Sequence, residues 1–228
     1  MTRTMPEQTL PKERTSHIPG LDPEATPLLG LGLGLTGLTL SLHPRFAALP
    51  LALTAITAAL YRDPERATPY EPGSIFAPSD GTVLRVDEVY EHRFVHSDCL
   101  RLSVAIGPLT VPVIRAPAGG LIRLVALVAG EYRPVNDPAA GDRNERLYIG
   151  LETDWGPLLI ALVAGPIGRR LVCRVKTGDR LDAGARLGTA RFGARADLYV
   201  QRDVVSLSAD PGMHLVAGRS RIGSVVPL

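Results

Sequence analysis

The sequence has few lysines, few cysteines and no excess of charge of either sign. Its two cysteines, Cys99 and Cys173, stand alone, without a CxxC pair or the spacing of metal ligands. This pattern predicts no metal site and favours small buried thiols in a reducing compartment over a disulfide. The 25 basic and 23 acidic residues leave a net charge of +2. Because nucleic-acid binding usually needs a concentrated basic face, no nucleic-acid partner is expected.

The beginning of the chain has no apolar period. Residues 1–27 are rich in Pro, Thr, Glu and Arg, a composition that buries too little apolar surface to fold by itself. They are therefore predicted to form a disordered leader. A signal peptide is not expected, because the apolar stretch begins too late and no small-residue cleavage site follows it cleanly.

Residues 28–61 are predicted to associate with a membrane. Two apolar runs, 28–42 and 46–61, flank a His-Pro-Arg break. Each is about 15 residues, or roughly 23 Å as a helix, and a bilayer needs about 20 residues. A helical hairpin dipping into one leaflet fits best, with one broken span or two buried core helices as alternatives. The glycines of the first run favour close packing in lipid, and Arg62 and Arg66 follow where cytoplasmic charges belong.

Residues 62–228 are predicted to form a mainly β domain. Leu100, Leu102, Val104 and Ile106 alternate as in a half-buried strand. Short apolar segments of this kind, separated by Gly and Pro turns, favour an all-β barrel or sandwich. The further predicted strands are 82–89, 121–128, 146–151, 158–163, 170–176, 196–200 and 204–207.

Glycine-containing repeats refine the predicted architecture. Residues 77–83 and 116–122 share the form Ala-Pro-x-x-Gly-x-apolar, and residues 176–188 add a Gly-Asp turn unit. They resemble the strand-turn units of barrel-sandwich hybrids, where glycine permits a positive φ as two sheets cross. That architecture also occurs in biotinyl and lipoyl domains. A carrier function is not expected, because Lys12 lies in the leader and Lys176 lacks the flanking residues of a modified lysine.

Several motifs follow one another in order along the chain: YRDPER at 61–66, APSDG at 77–81, NER at 144–146, the segment 164–173, and RFGARADLY at 191–199. In this order they resemble the motifs of the short bacterial and archaeal type of phosphatidylserine decarboxylase. Any one of them would be weak, but their order makes the resemblance specific, and it covers about residues 28–224.

The resemblance implies a membrane-associated enzyme that converts phosphatidylserine to phosphatidylethanolamine. In the family, a serine hydroxyl attacks the carbonyl of the preceding glycine, and the resulting ester breaks down to an N-terminal pyruvoyl group. A histidine oriented by an aspartate is the base in this step. The pyruvoyl carbonyl then forms a Schiff base with the substrate amine and accepts electrons as CO2 leaves.

This chain differs from the family pattern at the reacting positions. The processing serine falls on Ala194 and the base histidine on Pro112, and an acid two residues before that histidine falls on Thr110. Asp80 matches, either as the remnant of the orienting group or as an ordinary turn residue. The resemblance therefore implies vestigial positions at Asp80, Pro112 and Ala194, and no pyruvoyl cofactor.

Three residues are candidates for binding a polar headgroup. They are Arg115, Asn144 and Glu145, in segments that match the family, and Arg146 belongs to the same set as Asn144 and Glu145; arginine suits phosphate geometrically. An ion pair at the surface or at a strand end is the alternative for this set.

Two hypotheses for the function follow. The first is a non-catalytic decarboxylase homologue at the cytoplasmic membrane, with its β domain on the cytoplasmic side. Its expected partners are phospholipid and either a second copy of the chain or a genuine decarboxylase. The second is an active phosphatidylserine decarboxylase with a displaced nucleophile.

Overall fold

The computed structural model describes residue 18 and residues 20–137, 139–167, 171–191 and 193–226. They form two compact units, the first ending at Glu65 and the second beginning at Arg66. Residues 1–17 and 19 of the predicted leader lie outside the described part of the chain. The rest of that leader is folded: Pro23–Ala25 form a 3-10 turn, capped by the Asp22 carboxylate, which accepts a hydrogen bond from the Glu24 amide at 3.0 Å.

The first unit is a hairpin of two apolar helices. Helices α1 (Thr26–Leu42) and α2 (Ala48–Leu60) are joined through a 3-10 turn, Pro44–Phe46. Proline has no N–H to continue the first helix, so the helix ends before it. Gly32 lets the helices approach closely, because a Cβ there would overlap the Thr54 side chain. The predicted N-terminal hydrophobic hairpin is confirmed.

The hairpin exposes much of its apolar surface. Leu42 and Leu49, for example, are 65% and 68% exposed. The segment Pro23–Leu42 is long and apolar enough to cross a membrane, and Pro44–Leu60 is apolar but shorter. Core helices of soluble proteins can have the same length and composition, but they are mostly buried. Only 11% of the apolar window here is buried, which favours a lipid environment.

The second unit consists mainly of short antiparallel strands, so the prediction of a mainly β domain is confirmed. A one-turn helix, α3 (Ala140–Arg143), precedes the sixth strand. The strands are β1 (Ser74–Phe76), β2 (Gly81–Glu91), β3 (Ser97–Ile106), β4 (Val113–Arg115), β5 (Gly120–Val128), β6 (Arg146–Thr153), β7 (Gly156–Val163), β8 (Leu171–Cys173), β9 (Arg180–Leu181), β10 (Arg186–Ala190), β11 (Ala194–Gln201), β12 (Val205–Leu207), β13 (His214–Leu215) and β14 (Arg221–Val225).

The strands pair into three sheets. The largest has the order β13-β2-β3-β11-β7-β6-β5-β9, and the two small sheets have the orders β1-β14-β12 and β4-β10-β8. Each small sheet pairs strands that are distant along the chain, β1 with β14 in one and β4 with β10 in the other. The assignment to the barrel-sandwich class stays a prediction.

The large sheet has two different faces, set by the two-residue period of a strand. On β11, Ala196, Leu198 and Val200 point into the main apolar core. Arg195 and Tyr199 occupy the opposite face, where Tyr199 packs on a smaller apolar cluster. Polar and aromatic side chains are therefore concentrated on the face away from the main core.

Candidate functional site

Asp80 lies in the turn that leads into β2, and Arg66 holds it. Arg66 donates two parallel hydrogen bonds to the carboxylate, one of them from Nη2 to Oδ2 at 2.8 Å. The Ala217 amide donates to Oδ1 at 2.8 Å. The two ionic side chains are only 10% and 14% exposed. Arg66 was interpreted above as a membrane-anchoring charge; instead, it binds the two family motifs YRDPER and APSDG to each other.

Pro112 lies in the loop between β3 and β4 and is buried. Its carbonyl accepts a hydrogen bond from the Ala190 amide at 2.9 Å. Thr110, two residues before Pro112, donates from its hydroxyl to the Gly107 carbonyl at 2.8 Å. Both residues thus shape the loop, and neither has a side chain that titrates near neutral pH.

The Gly193–Ala194 bond lies at the entry to β11. Gly193 has φ +78°, a conformation that favours glycine. Gly165 packs directly against the Gly193 carbonyl, since a Cβ at position 165 would overlap it. Ala194 is 1% exposed, and its methyl group belongs to the main core. The bond is therefore enclosed between β11 and the segment that follows β7.

Strand register brings Asp80 and Ala194 to the same end of the large sheet. Thr82 of β2 and Arg195 of β11 both pair with Ala105 of β3, on opposite sides of that strand. Two interstrand spacings, roughly 10 Å, separate the start of β2, next to Asp80, from the start of β11 at Ala194. The positions are neighbours, but their side chains have separate partners.

His214 is the histidine paired with β2 at this end of the sheet. It lies on β13, with Nδ1 3.0 Å from the Thr82 hydroxyl, and it is exposed. Three interstrand spacings, roughly 14 Å, lie between it and Ala194. Proton transfer to a general base needs hydrogen-bond contact, about 3 Å, directly or through one water. His214 is therefore too remote to act on the Gly193–Ala194 bond in this arrangement.

The cysteines are free thiols without features of an activated nucleophile. Burial, with the nearby Glu91 and Asp98 charges, raises the pKa of Cys99 to about 12. Burial also raises the pKa of Cys173. Since the thiolate is the reactive form, both thiols are expected to be inert at neutral pH. Among the described residues, no group of His, Cys, Asp and Glu is placed to hold a metal ion.

The three candidate headgroup ligands have structural partners. Arg115 is 3% exposed and donates to the Gly184 carbonyl at 2.9 Å. Asn144 is fully buried, and its amide bonds the Arg133 backbone and the Ala164 carbonyl. Glu145 accepts a hydrogen bond from the Tyr132 hydroxyl. These contacts join loops to the sheet, and the headgroup-binding role of the three residues stays a prediction.

Sequence reasoning missed a buried ion pair immediately after Ala194. Arg195 Nη2 donates to Asp197 Oδ2 at 2.8 Å, and each side chain is 2% exposed. Arg195 also donates to the Val135 carbonyl at 3.1 Å, so it fastens the loop between β5 and β6 to the sheet. The available signal was the alternation of charge with alanine in ARAD, which places both charges on the same face of a strand.

These features define an apolar helical hairpin followed by a β unit whose matched motifs meet at one end of a sheet. The family model for phosphatidylserine decarboxylase matches residues 53–223. The chain belongs to the phosphatidylserine decarboxylase family.

Curated relatives match over nearly their full length. A phosphatidylserine decarboxylase proenzyme of Symbiobacterium thermophilum is 37% identical over 201 residues, covering 88% of this chain and 93% of the relative. One from Chlorobium phaeobacteroides is 35% identical, covering 87% and 91%. One from Anaplasma phagocytophilum is 31% identical, covering 91% and 92%.

Proposed function

We propose that this chain is a phosphatidylserine decarboxylase homologue of phospholipid metabolism that does not process itself and carries no pyruvoyl group. The observation that carries the proposal is Ala194, at the position where the family motif has serine. A methyl group has neither a nucleophilic oxygen nor a leaving group, so the covalent step cannot begin there.

The surroundings of Ala194 support the same conclusion, because the residues present do not fit the formation of a pyruvoyl group. Pro112 stands where the family base is expected and has no proton acceptor on its side chain. Asp80, the matching acid, is bonded to Arg66 and to the Ala217 amide rather than to an imidazole. Two independent losses in one mechanism, of nucleophile and of base, weigh more than either alone.

An active decarboxylase with a displaced nucleophile is the second candidate. The observation that favours it is the near-complete coverage of relatives whose name is that of the enzyme's proenzyme. Its difficulty is that neither cysteine in the described part of the chain suits the role of replacement nucleophile, since burial raises the pKa of both thiols.

The mass of the purified chain distinguishes the two candidates. We expect one polypeptide with the mass of all 228 residues, apart from loss of the initiator Met. We also expect no adduct with carbonyl reagents and no release of CO2 from phosphatidylserine. The Symbiobacterium relative, prepared in parallel, is the control for the assays. Two chains, the smaller blocked at its N-terminus by a pyruvoyl group, would overturn the proposal.

We propose further that the protein acts at the cytoplasmic membrane, with the second unit on the cytoplasmic side. The exposed leucines of α1 and α2 support attachment to lipid. A second copy of the chain or a genuine decarboxylase is the proposed protein partner. Arg115, Asn144 and Glu145 remain the proposed contacts of a phospholipid headgroup.

The full-length protein is expected to sediment with membranes and to stay there after a high-salt wash. Salt screens ionic attraction but leaves apolar burial intact, so attachment through the hairpin should resist it. Detergent should release the protein, and immunoblotting of the fractions measures both steps. Full-length protein recovered in the soluble fraction without detergent would argue against attachment through the hairpin.

A further inference from the structure

A cavity of about 340 Å³ opens on the face of the large sheet away from the main core. It lies between the β2–β3 hairpin and the α3 turn. Tyr199 lines it and lies five residues along β11 from Ala194, or roughly 16 Å. The cavity is therefore separate from the site described above. The lining residues that matter for its chemistry are Tyr90, Arg93, Arg101, Arg146, Tyr148 and Tyr199.

Two of the arginines share one aromatic ring. The Arg93 guanidinium lies 4.6 Å from the centre of the Tyr148 ring, and that of Arg146 lies 5.7 Å from it. Cation–π contact of this kind holds a guanidinium in place while leaving its N–H groups available. Within the described part of the chain, Arg93 has no carboxylate at salt-bridge distance, and its side chain is accessible.

Arg146 also has hydrogen-bonding capacity that the described residues do not use. It donates from Nη1 to the Gly141 carbonyl at 2.8 Å, but its buried Nε has no partner among them. The carboxylate of Asp142 is 3.9 Å away and 95% exposed, so solvent screens that pair strongly. The guanidinium is thus fixed in position and only weakly neutralised.

Apart from the solvent-exposed Asp142, the acids near the cavity are already occupied. Both oxygens of Glu91 accept backbone N–H groups of its own hairpin, at 2.7 to 2.8 Å. Asp87 holds Arg101 through two hydrogen bonds. Burial raises the pKa of Tyr148, and that of Tyr199 to about 12, so neither phenol adds negative charge at neutral pH. What remains directed at the cavity is the positive charge of Arg93 and Arg146.

We propose that this cavity binds the phosphate group of a phosphomonoester or phosphodiester, with Arg93 and Arg146 as the donors. Guanidinium groups match phosphate oxygens in geometry and form charge-assisted hydrogen bonds with them. The volume suits a phosphate carrying a small organic group. A lipid headgroup and a soluble phosphorylated metabolite share this chemistry. The inference does not depend on whether the chain is catalytic.

Calorimetric titration of the detergent-purified full chain tests the inference. Inorganic phosphate and glycerol 3-phosphate are the soluble probes, in a low-salt buffer without other multivalent anions. Phosphatidylcholine bicelles with and without phosphatidic acid are the lipid probe. Arg93→Gln is the main variant because that side chain is accessible, and Arg146→Gln is the second. Arg123→Gln changes an exposed side chain of β5 that lies outside the cavity, and it is the control with the same change of charge.

We expect saturable binding to the wild-type protein. Either cavity variant should raise the dissociation constant about tenfold or more, a loss of about 1.4 kcal/mol. Arg123→Gln should bind within about twofold of the wild type. Binding of the soluble probes in this pattern assigns the site to soluble phosphates, and binding of phosphatidic acid alone assigns it to headgroups. Arg93→Gln decides the question by itself if Arg146→Gln does not fold. No saturable binding of any probe, or an equal loss in Arg123→Gln, overturns the inference.

Discussion

Ala194→Ser alone is expected to leave the chain in one piece, whereas Ala194→Ser combined with Pro112→His is expected to yield two chains. The serine restores a hydroxyl next to the Gly193 carbonyl, but nothing in contact takes its proton. A positioned general base contributes about 10²- to 10⁴-fold to such a step. The double variant should therefore cleave at least about 100-fold faster than the single one, as measured by intact mass over time.

The Pro112→His change acts on the backbone as well as on the side chain. Proline fixes φ and has no backbone N–H. Histidine at this position of the buried loop removes the restriction on φ and restores the N–H. Ala196→Ser combined with Pro112→His is the matched control. Ala196 is the next core-facing position of β11 and is fully buried, so it receives the same new hydroxyl at the wrong place. Cleavage in this control, or in Ala194→Ser alone, would show that the reaction does not use the assigned positions.

Arg66→Met is expected to destabilise the second unit by about 3–5 kcal/mol, the usual cost of leaving one partner of a buried ion pair uncompensated. The Asp80 carboxylate is only 14% exposed and would lose two charge-assisted hydrogen bonds. Urea unfolding followed by Trp155 fluorescence measures the effect. Trp155 is the single tryptophan and packs against the main core.

Two further variants separate the ion pair from general effects of removing an arginine. Arg66→Met combined with Asp80→Asn should be less destabilised than Arg66→Met alone, since no charge is left without a partner. Arg221→Met removes an arginine that is 55% exposed and lies 4.0 Å from Glu71, and should cost no more than about 1 kcal/mol. Similar losses for Arg66→Met and Arg221→Met would mean that the Arg66–Asp80 pair contributes little.

Strands with clear alternation were predictable from the sequence. The segments 82–89, 121–128, 146–151 and 158–163 all lie within observed strands, β2, β5, β6 and β7. Of the strands of two to five residues, β8 and β12 lie within the predicted segments 170–176 and 204–207, whereas others, such as β10 and β13, were missed because they are too short for a period to stand out. They form only when distant segments supply their hydrogen-bonding partners.

Interpretation of single charged residues was less successful. Arg66 looked like a membrane anchor because it follows an apolar run, yet its partner Asp80 is 14 residues further along the chain. The sequence also did not indicate that the Asn144 amide donates to the Arg133 and Ala164 carbonyls, and its headgroup role stays a prediction. A side chain's partner is set by three-dimensional proximity, which neighbouring residues in the sequence do not reveal.

The sequence by itself determined the apolar hairpin, the mainly β second unit, the family, and the alanine and proline at the matched positions. These depend on local periodicity, side-chain chemistry and ordered motifs, all of which can be read along one dimension. Only the tertiary structure decided that Asp80 belongs to Arg66, that Arg195 and Asp197 form a buried pair, and that Arg93 and Arg146 meet at Tyr148. Each of these contacts depends on strand register and loop closure, which arise when the sheets assemble.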